Sequence, residues 1–184
     1  MIIIGVTGTN ASGKDTVAEY LRDKYGFKNY SLSDEIRIEL TKRGMDHSRE
    51  NMITVGNEIR EKFEANELAV RAIKRIVADN ENKVIVTSIR NPAEVEELRK
   101  DFPDFKLIFI DAPIEIRYER SKERGRIGDG ESFEDFKAKE ARELDGGTKG
   151  QRLIATSKMA DISIINDEDL ASLHNKIEKI LSKI

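Results

Sequence analysis

Cysteine is missing from all 184 residues, so neither a disulfide nor a thiolate metal site is available to this chain. That fits a reducing compartment, and the expected location is cytoplasmic. Long apolar runs are missing too, because none approaches the roughly 18 to 20 residues that a membrane-crossing helix needs. The apolar start, Met1 to Val6, has no basic leader and no small-residue cleavage site; it reads as a buried first strand rather than a secretion signal. Positive charge is not in excess. A formal net charge of -3 removes the footprint of a duplex-binding domain, so no nucleic acid is expected as a partner, although a local basic patch for phosphates is still allowed. No internal repeat or low-complexity tract is visible.

What is present is a chain 38% hydrophobic and 36% charged, too apolar in its periodic segments for disorder and too polar for a membrane protein. Its length suits one compact domain over 1–184. Short β-branched runs at Ile2 to Thr7, Val84 to Thr87, Leu107 to Ile110 and Ile162 to Ile165 are continuously apolar, as strands covered on both faces must be. A weaker strand is expected over Lys28 to Leu32. Helical spacing appears at Val17, Leu21 and Tyr25, with Gly26 as a left-handed stop, at Ile36 and Leu40, and at Leu68, Ala72 and Ile76. The last helix holds one apolar face from Leu170 through Leu173, Ile177, Ile180 and Leu181 to Ile184. Strands alternating with helices predict an α/β fold, a doubly wound parallel sheet of about five strands with helices on both faces. Ligands then gather at the strand C-termini. Two stretches interrupt the alternation: a helical insertion from about Thr41 to Asn80, and a charged, Gly-containing segment over about 124–150 that is too polar for core and too long for an ordinary connection.

Gly8-Thr9-Asn10-Ala11-Ser12-Gly13-Lys14 has Walker A spacing, follows an expected strand and opens an expected helix. Gly8 and Gly13 permit a turn tight enough for successive N–H groups to face one anion, while Lys14 reaches the outer phosphates. Asp15 stands where a Ser or Thr hydroxyl usually meets magnesium, and Thr16 follows. A carboxylate there can hold Mg2+ directly or through water, or cap the helix. His47 and His174 share no spacing with a metal or triad constellation and are expected at the surface or a helix edge.

The Gly-Lys-Asp-Thr form resembles phage-type deoxynucleoside monophosphate kinases, and most of the chain resembles nucleoside monophosphate kinases and dephospho-coenzyme A kinases. That resemblance implies ATP as phosphoryl donor at Gly8 to Thr16, Mg2+ near Asp15 and Thr16, and a nucleotide-like small-molecule acceptor. Within Tyr30-Ser31-Leu32-Ser33-Asp34-Glu35-Ile36-Arg37 it makes Arg37 an acceptor-phosphate clamp and Asp34 the base or orienter. Within Thr87-Ser88-Ile89-Arg90-Asn91-Pro92 it makes Arg90 the second clamp, with Ser88 where an acid would normally stand. Asp111-Ala112-Pro113 followed by Arg117, Arg120 and Arg124 resembles the approach to a lid. Arg120 and Arg124 share a helix face and are implied to meet the triphosphate, with Arg124, Arg126 and Arg142 serving the lid. The resemblance also implies an acceptor-binding insertion over about 34–80, and offers Asn166, after the last strand, as a base contact. No guanine-reading Asn-Lys-x-Asp sequence is present. The expected activity is transfer of the γ-phosphoryl group to a nucleoside or deoxynucleoside monophosphate. The alternatives are dephospho-coenzyme A as acceptor and a regulatory ATPase with no acceptor. A monomer or homodimer is expected.

Overall fold

A computed structural model of the chain describes residues 1–125, 132–144 and 152–183, with 142–144 given as backbone only. The first half runs β1 (Ile2–Gly8), α1 (Lys14–Tyr25), β2 (Lys28–Ser31), α2 (Leu32–Lys42), α3 (Arg49–Lys62), α4 (Glu67–Asp79) and β3 (Lys83–Thr87). Then come α5 (Pro92–Asp101), β4 (Lys106–Asp111), α6 (Ile114–Arg124), α7 (Phe133–Leu144), α8 (Leu153–Ser157), β5 (Ile162–Ile165) and α9 (Leu170–Leu181).

The strands form one parallel sheet in the order β2-β3-β1-β4-β5. In the centre, β1 pairs on both sides, with Ile4 opposite Ile85 and Gly5 opposite Leu107. Because side chains alternate along a strand, each central strand feeds two cores. Ile3, Val84, Val86 and Leu107 join Leu40, Val55, Leu68 and Ile76 of the α2–α4 side. Ile4, Val6, Ile85, Ile108 and Ile110 join Val17 and Leu21 of α1 and Leu173 and Ile177 of α9. Parallel order aims every strand C-terminus at the same edge, so the turns after β1, β2, β3, β4 and β5 converge there.

Local signals explain most boundaries. Gly26 closes α1 at φ 71°, its N–H donating to Arg22 O and the next N–H, of Phe27, to Leu21 O. Asn91 and Glu94 form a reciprocal capping box at the start of α5, with Pro92 at its first turn.

Four expectations need correction. Leu32 begins α2 rather than ending β2. β5 is an edge strand, so only Ile164 of its four residues is buried and Ile165 stands 52% exposed, unlike the fully covered strands its apolarity suggested. The buried stripe of α9 is correspondingly narrow: Leu173 and Ile177 are buried, while Leu170 is 53% exposed. Within 124–150, expected to be too polar for core, α7 buries Phe136 and packs against α6, where Tyr118 meets Phe133 and Phe136.

Candidate functional site

The turn between β1 and α1 is built as a cradle. Ala11 takes φ 58° and Gly13, the N-cap of α1, takes φ 98°, so two left-handed residues, one on each side of Ser12, curl the backbone. A Cβ on Gly8 would lie 2.1 Å from Ile110 O, and one on Gly13 would lie 2.4 Å from the Asn166 amide nitrogen. Neither position admits a larger residue without rearrangement. Strand β4 braces the loop, because Thr9 Oγ1 donates to Asp111 Oδ1 at 2.6 Å, and the same oxygen accepts the Ala112 N–H at 2.9 Å. Lys14 Nζ donates across the loop to Thr9 O at 3.3 Å. Ser12 Oγ is buried and makes no hydrogen bond among the described residues.

The arginines of α6 divide by task. Arg117 is buried. It donates from Nε to Ala112 O at 2.7 Å, reaches Asn10 O at 3.4 Å, and forms a two-pronged ion pair with the buried Glu140 of α7. Arg120 and Arg124 do share the face turned to the loops: Arg120 donates to Asn166 O at 3.0 Å and Arg124 to Asn10 Oδ1 at 3.0 Å. Arg126 lies outside the described residues, as does the side chain of Arg142.

Asn166 is buried behind the P-loop, where its amide donates to Ser12 O at 2.8 Å. The expected open base contact is therefore replaced by a prop under the phosphate cradle. Thr16 lines a groove between α1 and α9 with Tyr20, Lys24 and His174 and is not among the residues lining the cavity at Lys14.

A cavity of about 460 Å³ lies between the P-loop and the helices α2 and α3. Gly8, Asn10, Lys14 and Arg124 line it from the P-loop and α6, Ser88 lines it from the β3 end beside β1, and Arg37 and Arg90 line it too. The volume falls in the range of small-ligand sites. Ser88 holds φ 61° at the C-terminus of β3 and its hydroxyl meets that of Ser31 at 2.9 Å. Asp34 is not among the lining residues; its carboxylate accepts from Arg37 Nη1 at 2.7 Å on an exposed helix turn. The expected base is thus paired with Arg37, the expected clamp, and is not among the lining residues.

His47, Arg49, Met52, Ile53, Asn57 and Arg60 also line the cavity, and residue spacing alone assigned none of them. His47, expected as an ordinary surface residue, meets the Thr41 hydroxyl at 3.0 Å beside this space. One signal for Arg60 was legible: it continues the buried face of α3 set by Val55, Gly56 and Ile59, where a guanidinium needs a partner. Its partner is Glu94, wholly buried, at 3.2 Å. Burial pushes the Glu94 carboxyl above its ordinary range, against the pull of Arg60 and of the Arg90 and Asn91 N–H groups that it accepts.

Residues 4–142 match the family model AAA_18, described as an AAA domain. The chain belongs to that family of P-loop proteins. AAA_18 membership is joined by whole-chain relatives. Over its full length the chain is 36% identical to a UPF0200/UPF0201 protein of Archaeoglobus fulgidus, of which it spans 56%, or about half that relative's length. It is 35% identical to a UPF0200 protein of Thermococcus gammatolerans, covering 95% of it, and is itself a UPF0200 member by this measure. Among solved structures, shikimate kinase from Bacteroides thetaiotaomicron superposes with a TM-score of 0.64 at 17% identity, over 100% of this chain and 99% of that one. The AAA_18 domain therefore has the α/β P-loop kinase fold, with its five-stranded parallel sheet and flanking helices.

Proposed function

We propose that this protein is an ATP-dependent phosphotransferase that moves the γ-phosphoryl group onto a nucleoside or deoxynucleoside monophosphate. One observation carries the reading: a single cavity runs from the P-loop, at Lys14 and Arg124, to a second cationic end at Arg37 and Arg90. A protein that only hydrolyses ATP has no need of that second end. In phosphoryl transfer most of the acceleration comes from alignment and charge stabilisation. Gly8 to Lys14 would hold the donor's phosphates, Arg120 and Arg124 would meet the charge spreading over the transferring group, and Arg37 and Arg90 would fix the acceptor. The segment 124–150 would close over the pair and keep water from competing.

Magnesium fits this site in a limited way. Among the described residues no group of three or more His, Asp or Glu side chains is placed to hold a metal. Mg2+, however, keeps several waters and leans on substrate phosphates with one or two carboxylates. Asp15, exposed in the first turn of α1 beside Lys14, suits such a water-mediated contact. When bound, the ion would neutralise the donor's phosphate oxygens.

The test is incubation of the purified protein with labelled ATP, magnesium and a panel of ribo- and deoxyribonucleoside monophosphates together with dephospho-coenzyme A. Label should pass to a monophosphate, and Lys14→Ala should remove about 100-fold or more of that rate while leaving the melting temperature near the parent's. Transfer to dephospho-coenzyme A alone would shift the acceptor class. Hydrolysis with no transfer to any acceptor would overturn the kinase reading in favour of a regulatory ATPase.

A further inference from the structure

The acceptor end of the cavity contains a buried cation that the sequence motifs do not explain. Arg60 of α3 is 5% exposed and lines the cavity. Its Nη1 donates to Gly56 O at 3.3 Å and its Nη2 to Glu94 Oε1 at 3.2 Å, but Nε–H is buried with no hydrogen-bond partner among the described residues. Buried donors are nearly always satisfied, and an unmatched one on a charged group is costly. A guanidinium with five donors, two of them spent within the chain, on the wall of a ligand-sized cavity has donors left for an oxygen from outside the chain.

The way Arg60 is held ties it to Arg90. Glu94 accepts Arg60 through Oε1 and, through Oε2, the backbone N–H of Arg90 at 2.7 Å and of Asn91 at 3.1 Å. Arg90 O in turn accepts the Arg152 N–H at 2.8 Å, just before α8, whose Leu153 is another cavity wall. One carboxylate therefore holds the Arg60 guanidinium and the Arg90 backbone together, and a guanidinium already held loses less entropy on meeting an anion than a free side chain would. Two turns back from Arg60 on the same helix, Met52 and Ile53, together with Ile36 of α2, supply apolar lining.

We infer that Arg60 is an acceptor-binding residue, that Glu94 positions it with Arg90 as one clamp, and that the clamp takes the phosphate of a phosphate monoester whose body lies against Ile36, Met52 and Ile53. This rests on the phosphotransferase reading for the acceptor's role. The choice of a phosphate over a carboxylate follows from charge: Arg37, Arg60 and Arg90 border the space, and a dianion matches that concentration better than a monoanion.

Two measurements on the intact protein test it. The first follows the Arg60 Nε–H resonance, assigned by its loss in Arg60→Lys, during titration with inorganic phosphate, a nucleoside monophosphate, shikimate as a carboxylate probe and an uncharged nucleoside. It should move with phosphate and the monophosphate, and move little with the carboxylate or the nucleoside. The second is steady-state transfer. Arg60→Lys retains a cation for Glu94 but not the fork, and should raise acceptor KM about tenfold or more while kcat and donor KM change less than about threefold. Glu94→Gln should raise acceptor KM in the same direction, whereas a purely structural role would lower the melting temperature without moving KM. A resonance that stays fixed while the monophosphate saturates, or an Arg60→Lys acceptor KM within twofold of the parent, overturns the inference and leaves the kinase reading standing. A resonance that moves with phosphate in a protein that transfers to no acceptor supports the clamp and removes the kinase reading.

Discussion

The Asn166 side chain donates to Ser12 O at 2.8 Å, so a residue beyond the last strand props the P-loop from 154 positions away in sequence. That contact also fills the space a side chain on Gly13 would need, since a Cβ there would lie 2.4 Å from the Asn166 amide nitrogen. Asn166→Ala removes a buried hydrogen bond and leaves Ser12 O without its partner, which should cost about 1 to 3 kcal/mol in chemical denaturation. ATP affinity should weaken in parallel. Gly13→Ala should be worse, because φ 98° disfavours any side chain as well. In the double variant the clash is relieved but the backbone strain is not, so ATP binding should recover only part of the Gly13→Ala loss. Full additivity of the two changes would show that the residues do not press on one another.

The Arg117–Glu140 pair predicts a stability effect within the segment that resembles the approach to a lid. Both side chains are buried, and Arg117 also donates to Ala112 O and Asn10 O, holding α6, α7 and the P-loop together. Arg117→Met strands a buried carboxylate and should destabilise by about 3 to 5 kcal/mol. Adding Glu140→Leu should return part of that stability. It should not return all, because the two carbonyls remain unmatched. Urea unfolding of the three proteins decides it, and a single variant as stable as the parent would contradict the burial argument.

Elements were legible in this sequence where local chemistry dominates, and illegible where partners come from afar. Gly8 to Lys14 announces its turn because glycines and lysine sit at the positions the backbone needs, and Gly26 announces a helix end for the same reason. The exposure of β5 and the narrow face of α9 follow from standing at the sheet's edge, and edge position is set by strand order, which apolarity does not encode. Arg117, Arg120 and Arg124 have near-identical local settings. Only Glu140 and Phe136 of α7, arriving from another helix, make the first of them structural. Arg37 and Arg90, expected to bind the acceptor, both line the cavity, while the buried partner of Arg60 needed the fold to bring Glu94 against α3.

The seam between α1 and α9 predicts an acid response. Glu178 accepts from Tyr20 at 2.6 Å and Tyr25 at 3.3 Å and pairs with Lys24. Lys24 first, then the tyrosine hydroxyls, hold its carboxyl down at about 2, against an ordinary value of 4.5. A carboxyl lowered by folding stabilises above its unfolded value and loses that contribution as pH falls from about 4.5 to about 2. The parent should therefore melt above Glu178→Gln at neutral pH, with the gap closing through that window. The group is solvent-exposed, so added salt should also shrink the gap. A gap unchanged between pH 7 and pH 3 at low salt would remove Glu178 from the account of the seam.

The sharpest division between folding and binding falls on Arg37. Its pair with Asp34 is exposed on both sides, 48% and 43%, and such pairs contribute about 0 to 1 kcal/mol to stability. Arg37→Ala should therefore melt close to the parent. If Arg37 and Arg90 hold an acceptor phosphate, however, each Ala variant loses a charge-assisted contact of about 1.5 to 3 kcal/mol, and acceptor KM should rise by roughly one to two powers of ten. Donor KM should change little, since Lys14 and the loop from Gly8 carry that end. Lys at either position should recover only part of the loss, because an ammonium keeps the charge without the planar fork. Asp34→Asn separates two roles for the carboxylate. If it only holds Arg37 in place, acceptor KM should move and kcat should not; a fall in kcat of about 100-fold or more with KM unchanged would restore Asp34 as the base. In the structure its carboxylate is engaged by Arg37 and absent from the cavity wall, so the first outcome is expected.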